Sequence, residues 1–355
     1  MTLNPKKIIG SLGRKYGGNT FQKIRKAYYI SIDFFKQINE LVYLSRGKYA
    51  PSHSDRQFFE KNYSNPEEKK APLQKTGYIC LCDGKMYHGG PTDRLRGILT
   101  SYREAKKKNI PFYISWTHPF PLDKFLIPAD FDWRISPSEL SYYKDEAWPF
   151  IIEDEPDFHG FLRMKIGLKP RRPQIHIYSN ADNARGEYRQ LFNELFKPSP
   201  VLLDETQRHL KILGNDYQAF TFRFLQLLGD FKDWGPEALP EEERGLLIDK
   251  VSREFLKLTE NIADSQKILV TSDSRRFLDH ISSIDKRVYV VAGDVKNIDL
   301  LDGEFDDAWR KTFIDQQLLM HASKVTLMRT GKMYKSGFPR FAAEVGGAEF
   351  VDYSF

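Results

Sequence analysis

From Gly77 onward the chain alternates short apolar runs with longer amphipathic ones, and that alternation restricts the fold more than any other feature. "GYICLC", "PFYISW", "PQIHIYSN", "YQAFTFRF", "KILVTSD", "KRVYVVAG", "KVTLMRT" and "AEFVDYS" are β-branched and aromatic runs of strand length. Between them lie "DRLRGILTSYREAKKK", "GEYRQLFNELF", "EEERGLLIDKVSREFLKLTENI", "SRRFLDHIS", "DDAWRKTFIDQQLLMHAS" and "GFPRFAAEVG", which read as helices. Parallel strands need a long crossover, and a helix supplies it. Repeated units of this kind predict an α/β fold with mostly parallel sheets covered on both faces. "KPSPVLLDETQRHLKILGND" reads as an interdomain connection leading into a helix, which places a boundary near Pro198. The expected organisation is a basic helical segment over 1–75, an α/β domain over 76–198 and a second α/β domain over 199–355.

With 355 residues, 41% of them hydrophobic, the chain can bury two cores of medium size. Its net charge of +6 is unevenly spread: residues 1–75 hold 15 Lys/Arg against 6 Asp/Glu, a net of +9, so the remainder carries −3. Within that segment Phe21, Ile24, Tyr28, Ile32, Phe35, Ile38 and Val42 form one helical stripe. It suits a helix packed on the body, or an interfacial helix touching anionic lipid. Nucleic acid is not an expected partner, because nothing later in the chain supplies a reading element. Cys80 and Cys82 read as reduced thiols in a sheet, which suits a reducing compartment. No run approaches the roughly 20 apolar residues of a membrane span, and the start lacks a secretory core. The expected location is cytosolic, with contact at the inner face of the membrane.

No zinc-protease, nucleophile-elbow, Walker or dinucleotide motif is present. What remains is a set of polar residues at the ends of expected strands, where open α/β sheets bind ligands. In "YHGGPTDRLRG" the glycines Gly89 and Gly90 precede Asp93 and Arg94 at a strand-to-helix turn, where backbone can approach a ligand. Arg223 interrupts the apolar "AFTFRFLQLLGDF" and needs an anion or a carboxylate there. "TSDSRR" ends a strand with Asp273 and Ser274, a shape suited to a ribose or base contact. "RTGKMYKSGFPRFAAE" brings Thr330, Ser336 and Gly337 to a helix start suited to a diphosphate. Each also fits a structural role: an ion pair for Arg223, helix caps for Asp273, Ser336 and Asp93, turn glycines for the rest. Trp116, His118, Phe120 and Trp133 offer aromatic faces for sugar rings, and core packing accounts for them equally.

"HGGPTDRLRGI", "FTFRFLQLLGDF", "KILVTSDS" and "FIDQQLLMHASKVTLMRTGKMYKSGFPRFAAEVGG", in that order, resemble the α-1,2-, α-1,6- and protein O-fucosyltransferase superfamily over roughly 77–355. The resemblance implies two Rossmann-like domains facing a cleft, the GT-B arrangement. It implies a metal-independent, inverting transferase that uses GDP-fucose as donor and needs no cofactor. It assigns Arg223 to the β-phosphate, Asp273 to the nucleotide, and Asp315, Ser336, Gly337 and Phe338 to the closing donor segment. Taken with the strand-end residues, the expected donor set is Gly89, Gly90, Arg94, Arg223, Asp273, Ser274, Asp315, Thr330, Ser336, Gly337 and Phe338. Thr221 stands where the family has His, and Gly229-Asp230 follows Arg223 later than the family's tight Arg-Gly-Asp spacing.

The residue types suit that chemistry. Cleaving a sugar–diphosphate bond builds negative charge on the leaving phosphate, which Arg223 and the Ser336–Gly337 backbone can meet. A carboxylate must take the acceptor proton, and Asp93 and Asp230 are the candidates. A glycan or a lipid-linked glycan is the expected acceptor, with Trp116 and His118 at its site. Two other readings stay open: the same scaffold with a different nucleotide sugar, and a binding protein that keeps the cleft without turnover.

Overall fold

The computed structural model describes residues 42, 54–65, 73–152, 172–233, 235–293 and 308–355; the stripe expected from Phe21 to Ile38 lies outside them. The chain divides into two compact units, Met1–Ala71 with Tyr142–Pro149 and Pro156–Pro173, and Pro72–Ser141 with Phe150–Glu155 and Gln174–Phe355. In the first unit, helix α1 (Ser54–Asn62) sets Phe59 against Trp148 with ring centroids 5.0 Å apart, and Tyr63 packs on Tyr142 at 5.4 Å.

Two parallel-stranded sheets hold most of the strands, nearly all of them in the second unit. Strands β1 (Gly77–Cys82), β2 (Phe112–Trp116), β4 (Ala147–Ile152) and β5 (Gln174–Ser179) lie in the order β2-β1-β5-β4, with β1 parallel to both neighbours. Five of the six residues of β1 are buried, because both faces of the strand are covered and no polar face is needed. Cys80 and Cys82 are free buried thiols, and burial pushes the Cys80 pKa up. Helix α2 (Pro91–Lys107) starts on a proline whose missing N–H costs nothing at that position. It lies against the end of β5 so closely that a Cβ on Gly97 would sit 1.8 Å from the Ser179 carbonyl oxygen. The connection from this sheet runs through α3 (Tyr188–Leu195) and α4 (Pro200–Leu213), the latter capped by Ser199, whose Oγ accepts from Leu202 N–H.

The second sheet contains β7 (Gln218–Phe222), β8 (Ile268–Ser272), β9 (Val288–Tyr289), β10 (Lys324–Arg329) and β11 (Glu349–Ser354) in the order β11-β10-β7-β8-β9, every pairing parallel. Helices α5 (Glu241–Thr259), α6 (Arg275–Ile284), α7 (Ala308–His321) and α8 (Phe338–Gly346) make the crossovers. Three glutamates open α5, where the helix dipole favours negative charge. Phe222, Phe224, Phe255 and Phe277 form the centre of the core, with Phe222 and Phe277 rings 4.6 Å apart.

The structure departs from the sequence pattern in short elements. The connection near Pro198 holds β6 (Phe196–Pro198), which pairs antiparallel with β3 (Leu126–Pro128), and three-residue strands have no periodicity to read. "KRVYVVAG" contributes only Val288–Tyr289 to the sheet, as an edge strand held by two register positions.

Candidate functional site

The order of the second sheet fixes where a ligand can enter. The chain lays down β7, β8 and β9 in one direction, then crosses to the other side of β7 for β10 and β11, so the reversal falls between β7 and β10. Crevices in open α/β sheets form at the carboxyl ends of strands at such a reversal. Arg223 directly follows β7 and Thr330 directly follows β10. The two loops are joined across the reversal by a backbone hydrogen bond from Tyr334 N–H to the Arg223 carbonyl, 2.9 Å.

Arg223 is held on three sides. Its Nη2 donates to Asp233 Oδ2 at 2.5 Å, its Nε lies 3.3 Å from Asp273 Oδ2, and its guanidinium carbon sits 4.6 Å from the centre of the Phe231 ring. Nη1 has no hydrogen-bond partner among the described residues, and the side chain is 25% exposed. The guanidinium is therefore oriented before any ligand arrives.

Asp273 is almost wholly buried. Its Oδ1 accepts the N–H of Phe224 at 2.8 Å and its Oδ2 the N–H of Leu225 at 2.7 Å. Burial pushes this carboxyl above the ordinary aspartate range, against the lowering by Arg223 and by those two N–H groups. Leu225 adopts φ 54°, a left-handed conformation that costs a leucine free energy and that the carboxylate holds in place. Beside it Ser274 caps α6, accepting from Phe277 N–H and donating to Asp230 Oδ2 at 2.9 Å; the same Asp230 oxygen accepts Arg276 N–H.

In the loop after β10, Thr330 donates its hydroxyl hydrogen to the Phe355 carbonyl and accepts from Lys250 Nζ at 2.8 Å. Ser336 Oγ accepts from Phe338 N–H at 3.3 Å, at the start of α8. Asp315 lies on α7, paired with the buried Lys311 at 2.5 Å; its Oδ1 has no partner among the described residues. Burial raises its pKa, opposed by Lys311 and His209.

The first sheet reverses its order between β1 and β5. Gly89 has φ 72° and Gly90 caps α2, with Asp93 Oδ2 accepting Gly90 N–H at 3.1 Å. Asp93 also pairs with Arg96, which reaches Asp182 at 3.3 Å. Arg94 is fully buried: Nε donates to the Gly89 carbonyl at 2.9 Å, Nη1 to the His118 carbonyl at 2.6 Å, and the group lies 5.1 Å from the Trp116 ring centre. Arg94 thus ties the glycine turn to the end of β2. Trp116 is 3% exposed.

The expected residues therefore gather in four groups: Arg223 with Asp273; Asp230 with Ser274; Gly89, Gly90, Asp93, Arg94, Trp116 and His118; and Ser336, Gly337 and Phe338. The second and first are continuous through Asp273–Ser274. The third and fourth meet at Arg96, whose Nη1 would lie 3.2 Å from a Cβ on Gly337. Thr330 and Asp315 have their polar contacts elsewhere.

No protein-family model matches the sequence, and no curated protein does. Solved structures do. A fucosyltransferase NodZ from Bradyrhizobium aligns with a TM-score of 0.51 at 14% identity, covering 76% of this chain and 93% of that one. A NodZ α-1,6-fucosyltransferase soaked with GDP-fucose aligns at 0.50 and 13% identity, covering 76% and 93%. A mutant of Arabidopsis thaliana FUT1 in complex with GDP aligns at 0.51 and 11% identity, covering 89% of this chain and 77% of that chain. The fold is that of these fucosyltransferases.

On this fucosyltransferase fold several further polar residues that sequence reasoning passed over have fixed contacts beside the expected ones. Asp233 lies ten positions beyond Arg223, too far along the chain to signal a contact. Asp83 directly follows β1 and accepts from Lys85 N–H at 3.0 Å and Tyr178 O–H at 3.0 Å. Burial works against its ionisation, but nearby His88, the hydrogen bonds from Lys85 N–H and Tyr178 and the Lys85 charge outweigh that and bring its pKa to about 2. A strand-final Asp followed by Gly84 was the available sequence signal. His88 stacks on Tyr178 at 5.9 Å, and its Nε2 accepts Gly84 N–H at 3.2 Å. Arg96 was hidden because it reads as an exposed position of an amphipathic helix.

Proposed function

We propose that the chain is an inverting glycosyltransferase that moves fucose from GDP-fucose to a glycan or lipid-linked glycan, with residues 76–198 on the acceptor side and 199–355 on the donor side. The observation that carries this reading is Arg223: a guanidinium at the order reversal of a fucosyltransferase fold, fixed by two carboxylates and an aromatic face, with Nη1 left over. In the proposed reaction an acceptor hydroxyl oxygen bonds to the anomeric carbon as the carbon–oxygen bond to the β-phosphate breaks. The bonding pair leaves on the phosphate, where Arg223 and the backbone N–H groups at the start of α8 stabilise it. Gly89 and Gly90 let backbone approach the donor. The proton passes to a carboxylate, Asp93 or Asp230. Asp230 Oδ1 has no hydrogen-bond partner among the described residues, whereas both Asp93 oxygens already accept. Asp273 supports the reaction through Arg223, as the anchor of its main chain.

Because the cation is supplied by a side chain, GDP should raise the unfolding temperature equally with and without EDTA. At 100 times its Kd it stabilises the fold by about 2.7 kcal/mol. UDP-, CMP- and dTDP-sugars should give no shift. A shift with UDP in place of GDP would reassign the donor, and a strict need for Mg²⁺ or Mn²⁺ would remove the assignment of Arg223.

We place the acceptor at the cytosolic face of a membrane on the strength of the net charge of +9 over residues 1–75. Among the described residues no helix is long and apolar enough to cross a membrane. The full chain should co-sediment with anionic but not neutral vesicles and be released by salt, since the attraction is screened within a Debye length. Salt-independent sedimentation, or none, removes the membrane from the proposal.

A further inference from the structure

Gly337 precedes α8 with φ −78° and ψ −18°, helical backbone that any residue adopts, so its conformation does not call for glycine. The space beside it does. A Cβ there would stand 3.2 Å from Arg96 Nη1 and 3.7 Å from Arg96 Cζ, and Arg96 is the only described residue that close apart from the glycine's chain neighbours. Arg96 reaches this point from α2. Its Nη2 donates to Asp93 Oδ1 and its Nη1 to Asp182 Oδ2 at 3.3 Å, while Asp93 Oδ2 accepts Gly90 N–H at 3.1 Å. One guanidinium thus touches the glycine turn through Asp93, the loop after β5 through Asp182, and the start of α8 at Gly337. Arg96 Nε and Asp182 Oδ1 are buried with no hydrogen-bond partner among the described residues. A buried polar atom left unpaired costs free energy, so stability alone does not explain where Arg96 sits.

We propose that Arg96 is a positioning residue that sets the spacing between two stretches of main chain facing the donor, Gly89–Gly90 and the start of α8, and that position 337 is glycine to admit it; this rests on the glycosyltransferase reading above. Groups that bind one ligand together must be held at fixed spacing, and a shift of about 1 Å undoes much of their joint effect. The planar guanidinium suits this role, because separate nitrogens engage Asp93 and Asp182 and fix its direction. A lysine ammonium is a single point and fixes none.

The test is a double-mutant cycle on the full chain, with GDP affinity read by calorimetry and folding by the urea midpoint. Arg96→Ala and Gly337→Ala should each weaken GDP binding about tenfold, and the double variant should stay within about twofold of Arg96→Ala, because the added methyl no longer meets a guanidinium. If Arg96→Ala does not fold, Arg96→Gln, shorter than arginine but still polar, carries the same cycle. An arginine variant that binds GDP as the parent does and only unfolds in less urea makes Arg96 a strut and overturns the proposal. Equal losses from Gly337→Ala with and without Arg96 overturn it too, since the methyl then meets the donor itself. A parent that binds no GDP defeats the glycosyltransferase reading, and the spacing role with it.

Discussion

Arg223→Ala should lose about a hundred- to a thousandfold in turnover of GDP-fucose, the usual loss when one fixed donor to developing negative charge is removed. GDP affinity should fall with it. Arg223→Lys should lie between, because lysine keeps a charge but cannot span Asp233, Asp273 and a phosphate at once. The alanine variant also strips a cation from a buried carboxylate and lowers stability, so the lysine variant decides the matter. GDP titrations and urea midpoints on both proteins make the measurement. If Arg223→Lys is destabilised while GDP affinity stays intact, the arginine is a strut within an ion pair and the phosphate assignment fails.

Asp273→Ala should cost roughly 3–5 kcal/mol of folding stability, more than any surface carboxylate, because it orphans the N–H groups of Phe224 and Leu225 and leaves Arg223 short of a partner in a dry site. Asp273→Asn keeps one accepting oxygen and should cost about half as much. Chemical denaturation followed by far-UV circular dichroism reads both. A variant within about 1 kcal/mol of the parent that nonetheless loses GDP affinity would return Asp273 to direct nucleotide contact.

The layers of the fold were legible because each strand–helix unit carries its own period. "DRLRGILTSYREAKKK" folds as α2 over Pro91–Lys107, and "KILVTSD" as β8 over Ile268–Ser272. The β3–β6 pair was not legible, since its stability comes from partners some seventy residues apart and not from any local pattern. Asp233 was silent for a related reason. A carboxylate in sequence looks the same whether it ends in solvent or against a guanidinium, and only the path of the loop after β7 decides which. The fate of Arg94 was equally out of reach: an arginine one turn into a helix seldom lies at 0% exposure with its donors on main-chain carbonyls.

The anchoring of Phe224 and Leu225 by Asp273 bears on the length of the segment that follows. The main chain around Arg223 is fixed from the end of the adjacent strand, β8, and from Tyr334 beyond β10. Residues 226–233 share in the aiming, because Phe231 lies under the guanidinium and Asp233 accepts from it. Asp230, displaced along the chain, caps a different helix at Arg276 N–H. An insertion before Phe231 would carry that ring and Asp233 out of register with the guanidinium, so the length of this loop is fixed by the arginine it closes on.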